Sequence, residues 1–234
     1  MMQKPTYAAL LIGSPKGPRS TSNSVGTFLV EKLKQKGVPY KKVYLHQSLR
    51  SDEKKADLLQ LVNESDLIIL ASPLYVDSLH AQVIETLELI AEHENGKPDL
   101  DKKSFVAISN GGFPEANQNS TALTVCRLFA KKVGFNWAGS LAWGGGGMID
   151  GKPLSELGFR VRNKTKALEM VAEALAQGNP IPEKAVALMG KLGIPRSLYV
   201  FMGNRGWKNQ AKENIPIKSM HAQPFKIVQQ AGGE

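Results

Sequence analysis

Three short stretches of this 234-residue chain combine residue types that could bind an anion or a polar ring. The first is Gly13-Ser14-Pro15-Lys16-Gly17-Pro18-Arg19-Ser20-Thr21-Ser22-Asn23-Ser24, which follows the apolar run Leu10-Leu11-Ile12. Small residues let the backbone approach a ligand, hydroxyls and free N–H groups donate, and the dipole of a following helix favours negative charge. A phosphate suits such a turn, and a merely solvated turn fits it as well. The spacing is neither Gly-x-x-x-x-Gly-Lys-Ser/Thr nor Gly-x-Gly-x-x-Gly. The second stretch is Ser72-Pro73-Leu74-Tyr75-Val76-Asp77-Ser78, in which proline holds a loop open. The third is Ser109-Asn110-Gly111-Gly112, whose glycines leave room for main-chain donors.

Each stretch follows a segment that reads as a buried strand. Residues 6–12, 67–71 and 105–108 are continuous apolar runs, and 135–143 ends at Trp143 and the tetraglycine Gly144-Gly145-Gly146-Gly147. Residues 38–45 alternate weakly, as in a strand nearer a sheet edge, and leave through His46-Gln47-Ser48-Leu49-Arg50 without ligand chemistry. Helical spacing follows each strand. It places Val25, Leu29 and Leu33 inward over 22–36, then Ala56, Leu59 and Val62 on a polar helix. Residues 79–93 turn Val83, Leu87 and Ile90 inward, and 117–132 turn Ala122, Val125, Leu128 and Phe129. Residues 155–177 turn in Ala167, Val171 and Leu175. Five strands alternating with five helices predict an α/β three-layer sandwich with a parallel sheet of order 2-1-3-4-5. Strand 2 then lies outside the switch point, which accounts for its plain exit.

The composition bounds the rest. With 42% hydrophobic residues the chain suits a globular domain with an appendage. No apolar run approaches a membrane span and no signal-peptide core opens the chain, so a cytoplasmic protein is expected. One cysteine, Cys126, excludes an internal disulfide framework. The net charge is +9, with 17 basic and 15 acidic residues in 1–150 against 13 and 6 in 151–234. The basic residues of the last third are scattered singly, so neither a nucleic acid nor a membrane is expected as partner. The predicted organisation is a domain over 1–178 and a helical extension over 179–234, packed on the domain or on a second subunit. In that extension Leu198, Phe201 and Met202 are expected to face inward, with a break at 203–206.

Taken together, Gly13-Ser14-Pro15-Lys16 with Ser22-Asn23-Ser24, Ser72-Pro73-Leu74-Tyr75 with Ser78, and Asn110-Gly111-Gly112 resemble the flavodoxin-like NAD(P)H-dependent FMN reductase and quinone reductase superfamily over about residues 5–176. The resemblance implies FMN as cofactor, NAD(P)H as co-substrate, a small electron acceptor such as a quinone, and a homodimer. It assigns Ser14, Lys16, Arg19, Ser22, Asn23 and Ser24 to the phosphate, and Pro73, Leu74, Tyr75, Val76, Ser109, Asn110, Gly111 and Gly112 to the flavin ring. Trp143 and the tetraglycine are outer candidates for the rim. The chain departs from the family pattern at Val76, His80, Ile84 and Glu88, where that pattern has asparagine, proline, lysine and aspartate. Hydride chemistry belongs to the flavin, so no catalytic side chain is assigned; Tyr75 and His80 are the nearest proton donors to consider.

Bland readings stand beside these. His80 reads more readily as a first-turn surface residue than as a donor, Cys126 as an inert core thiol rather than a redox sensor, and Asp77 as a helix cap. His46, His93 and His221 show no metal-ligand spacing. A flavodoxin-type electron carrier, or a flavin-binding sensor without catalysis, would share the sheet.

Overall fold

The computed structural model describes residues 2–149, 151–214, 219 and 222; of 213 and 214 it describes the backbone alone. His221 and the remainder of the tail lie outside the described residues. The chain divides into a unit over Met1–Gly193 and a second over Ile194–Glu234.

The first unit is built on five parallel strands: β1 (Ala8–Ile12), β2 (Tyr40–Tyr44), β3 (Leu67–Pro73), β4 (Ser104–Asn110) and β5 (Asn136–Trp143). Their order is β2-β1-β3-β4-β5, with β1 paired to both β2 and β3. This is the flavodoxin-like order, and it sets the switch point between β1 and β3. Successive side chains of a strand point to opposite faces, so β1 feeds two cores. Ala8, Leu10 and Ile12 join Val25, Leu29 and Leu33 of α1 (Thr21–Gln35) and Ala167, Leu168 and Val171 of α6 (Arg162–Ala176). Ala9 and Leu11 pack instead with α3 (Asp52–Glu64), α4 (Ala81–Glu94) and α5 (Ser120–Val133). A four-residue helix, α2 (Leu45–Ser48), sits between β2 and α3.

Several local expectations shift. Helix α1 begins one residue early because Ser20 is its N-cap, its Oγ accepting from the Asn23 N–H at 3.1 Å. Helix α6 starts at Arg162, not near 155, because residues 154–161 form short 3-10 turns. The inward face of α3 is Leu58, Leu61 and Val62, leaving Ala56 exposed, and on α5 Leu128 is exposed as well. Cys126 is buried, and burial pushes its thiol up to about 12, as an inert core residue requires.

Helix α7 (Glu183–Gly190) belongs to the first unit, whereas the sequence assigned it to the extension. Ala185 and Met189 are fully buried in the core beside α6, and the Ile181 N–H donates to the Ala138 carbonyl at 2.7 Å. In the second unit, α8 (Arg196–Asn214) runs through Gly203 and Gly206 without the expected break. Leu198, Phe201 and Met202 on it are exposed, not inward.

Candidate functional site

The carboxyl ends of β1, β3, β4 and β5 converge on a cavity of about 260 Å³. Its lining comes from all four exits: Ser14, Lys16, Arg19, Ser20, Thr21 and Ser22 after β1, Pro73, Leu74 and Tyr75 at the end of β3, Asn110, Gly111 and Gly112 at the end of β4, and Gly146, Gly147 and Gly151 after β5. The volume is below the roughly 300–1,000 Å³ of sites that enclose a whole drug-sized ligand. It therefore suits one end of a larger molecule, with the remainder open to solvent.

The first loop is shaped by hydrogen bonds that the linear sequence does not show. Gly17 sits at φ +56°, and a Cβ there would lie 3.1 Å from the His46 ring, so the turn admits little but glycine. Ser20 spends its hydroxyl inside the loop, donating to the Gly17 carbonyl at 2.7 Å. The Asn23 side chain faces β2, where its Oδ1 accepts from Lys42 Nζ at 2.9 Å and from the Tyr44 hydroxyl at 3.1 Å. Ser24 donates back to the Ser20 carbonyl at 3.2 Å. Asn23 and Ser24 do not line the cavity, although the resemblance assigns them to the phosphate. They hold the helix that presents it.

What remains free is a set of donors. Among the described residues the backbone N–H groups of Thr21 and Ser22, the first two of α1, have no acceptor. Ser14 is 3% exposed and accepts from the Lys16 N–H at 3.4 Å, and its own proton has no acceptor among the described residues. Among the described residues Lys16 and Arg19 have no carboxylate partner, and none of the described residues that line the cavity is acidic. Two cations, a hydroxyl and two helix N-terminal amides around one hollow form an anion site, and an acceptor-rich phosphate satisfies all of them.

The opposite wall is a locked assembly of loops. Thr21 Oγ1 donates to the Gly146 carbonyl at 2.9 Å, the Gly146 N–H donates to Gly111 O at 2.9 Å, and the Gly111 N–H donates to Trp143 O at 2.9 Å. Gly144 lies so close to Pro114 that a Cβ would meet its carbonyl at 2.3 Å. The tetraglycine is thus a close-packed brace. Trp143 is 1% exposed and lies beneath the loop, where the sequence placed it at the rim. Ser109 is turned away, its hydroxyl donating to Asn119 Oδ1 at 2.8 Å. Gly112 differs: a Cβ there would have nothing within 4 Å, so the hollow itself occupies that space.

Tyr75 stands at the mouth, and its ring meets that of His80 at 5.1 Å in an edge-on arrangement. His80 is outside the lining and is the N-cap of α4, its Nδ1 accepting from the Gln82 N–H at 3.2 Å. That cap is the role the sequence offered to Asp77. Asp77 instead shares a two-residue turn with Val76, closed by paired hydrogen bonds between Tyr75 and Ser78 at 2.9 and 3.0 Å. Val76 points outward, 98% exposed, and is not part of the lining.

Sequence reasoning missed Ser20, Thr21 and Gly151. Ser20, Thr21 and Ser22 are equally good caps by type, and only the geometry of the turn selects Ser20. A larger groove of about 790 Å³ lies along α6 and residues 179–182, floored by Met170, Ala174, Ile181 and two prolines. Its lining also holds Lys166, Gln177 and Asn179 with Glu169 and Glu173, so cations and carboxylates are mixed there, unlike the acid-free described lining of the first cavity. No group of His, Cys, Asp and Glu among the described residues could hold a metal ion.

An open, parallel, flavodoxin-like sheet with an anion cavity at its switch point defines the class of fold and site. Solved structures agree on the fold. An NADH:FMN oxidoreductase in its apo form superposes with a TM-score of 0.57 at 16% identity, covering 82% of this chain and 98% of that one. An FMN-dependent NADH-azoreductase from Bacillus anthracis, in complex with FMN, gives 0.53 at 13% identity over 73% and 99%. An NAD(P)H:quinone oxidoreductase from Methanothermobacter marburgensis gives 0.50 at 16% identity over 73% and 94%. At such identities the likeness establishes the fold. No family model and no curated protein matches the sequence.

Proposed function

We propose that this chain is an FMN-dependent NAD(P)H oxidoreductase that delivers electrons to a small acceptor such as a quinone or another oxidised aromatic. The observation that carries the reading is the set of unspent donors, Ser14, Lys16, Arg19 and the Thr21 and Ser22 amides, at the switch point beside the Gly111-Gly112 backbone. Those donors would hold one terminal phosphate. Pro73, Leu74, Tyr75 and the Asn110–Gly112 main chain would border the ring. The solved structures of this fold described above support it, since the names they carry are those of FMN and NAD(P)H enzymes.

When bound, FMN supplies reversible hydride chemistry at its N5 atom. The task left to the protein is to grip the phosphate, orient the ring and leave one face open. The small volume of the cavity and the exposed Tyr75 at its mouth suit that task, because the nicotinamide and the acceptor must use the same open face in turn. The reading includes ping-pong kinetics and a homodimer.

Addition of FMN to purified protein, followed by desalting, should leave a bound flavin spectrum that NADH or NADPH bleaches without oxygen. Failure to retain flavin would overturn the reading. Retention without bleaching would favour a flavodoxin-type carrier reduced by a protein partner.

A further inference from the structure

We propose that α8 is a docking helix for an anionic lipid surface, lying on the membrane and not crossing it. In the linear sequence its basic residues are scattered singly, which argued against a membrane partner. A helix advances 100° per residue, and that rotation gathers them. Leu198, Phe201, Met202, Arg205, Lys208 and Lys212 recur at intervals of three and four and share one face. The face is divided along its length. Its first half is apolar and exposed, with Leu198 at 44%, Phe201 at 64% and Met202 at 52%, and its second half is basic. No carboxylate pairs with Arg205, Lys208 or Lys212 among the described residues.

Charge decides among the occupants. A second copy that paired this face with itself would set Arg205, Lys208 and Lys212 against the same cations or against Leu198, Phe201 and Met202, with no carboxylate to receive them. A nucleic acid would satisfy the cations but offer Leu198 and Met202 no hydrocarbon to enter. An anionic bilayer supplies both partners in the order the helix needs, phosphate groups at the headgroup level and acyl chains directly beneath. Among the described residues no helix is long and apolar enough to cross a membrane, so the contact is peripheral. Val200 and Trp207 point to another side of the helix and stay outside it.

The test is flotation of the full chain with phosphatidylcholine vesicles that contain or lack phosphatidylglycerol. The wild type should float with the anionic vesicles alone and be released by salt. R205Q/K208Q/K212Q should weaken binding about a hundredfold, from roughly 1 kcal/mol per basic residue at the surface. F201S/M202S should weaken it about tenfold or more, whereas F201L/M202L and W207S should bind like the wild type. Equal flotation of F201S/M202S and the wild type would overturn the proposal, because net charge alone would then account for binding. Absence of flotation together with salt-sensitive capture of an oligonucleotide would overturn it in favour of a nucleic acid. Loss of binding in F201L/M202L would overturn the hydrocarbon contact. None of these outcomes depends on whether the chain binds flavin.

Discussion

Ser22 Oγ donates to Asn110 Oδ1 at 2.7 Å, both residues being buried, and this bond ties the first turn of α1 to the end of β4. The resemblance would have the Ser22 hydroxyl serve a phosphate, but in the fold it joins two of the loops that form the cavity. S22A should therefore act on stability first. It leaves Asn110 Oδ1 without its buried donor, at a cost of about 1–3 kcal/mol measurable by urea unfolding. FMN affinity should fall less than in the cation variants described next, because the Ser22 N–H is unchanged.

Lys16 and Arg19 are exposed and unpaired among the described residues, so neither contributes to the core. K16Q and R19Q should each lower FMN affinity about tenfold or more, since a charge-assisted hydrogen bond is worth about 1.5–3 kcal/mol. Unfolding midpoints should stay within about 0.5 kcal/mol of the wild type. A fluorescence titration with FMN, repeated with riboflavin, checks the assignment: the variants should lose the preference for the phosphorylated ligand.

Val76 has φ +45° and Asp77 φ +62°, so a β-branched residue occupies left-handed backbone at the tip of a tight turn. With its side chain 98% exposed, Val76 has no packing to lose. V76N should raise stability by about 1 kcal/mol, because asparagine tolerates this conformation and valine is strained there. A thermal or urea unfolding curve reads the gain, and an unchanged or lowered midpoint would contradict it.

Lys164 is 3% exposed, donates to the Met189 carbonyl of α7 and stands 5.0 Å from the centre of the Trp143 ring. Burial holds its ammonium down at about 8 against an ordinary 10.5. Between those values the unfolded chain binds a proton that the folded chain has released, so this residue's contribution to stability rises with pH across the window. Below about pH 8 the buried charge imposes its full penalty. The stability difference between wild type and K164M should shift towards the wild type by roughly 3 kcal/mol from pH 8 to 10.5. A difference that is flat with pH would place the ammonium in better solvation than its burial indicates.

The alternation of apolar runs with helical spacing, together with the plain exit of β2, made the sheet, its order and its two-sided core legible, because the inner strands β1, β3 and β4 are buried on both faces and are therefore mostly apolar. The three loops were legible as a group. Their division of labour was not: Asn23, Ser24 and Ser109 have the right types for ligand binding, but their polar atoms are claimed by Lys42, Ser20 and Asn119. A side chain's type states what it could bond, and only its neighbours in space decide which bond it makes.

The same distinction separates the two ends of the chain. The sequence by itself determined the parallel core and the loops at its carboxyl edge, since hydrophobic burial and turn chemistry are encoded within a few residues. Tertiary structure decided that Ser20 caps α1, that Thr21 braces the tetraglycine loop, and that α7 belongs with the sheet. It decided too that α8 presents Phe201 beside Arg205. These depend on contacts between residues distant in sequence or on the rotation of a helix, which local composition does not specify.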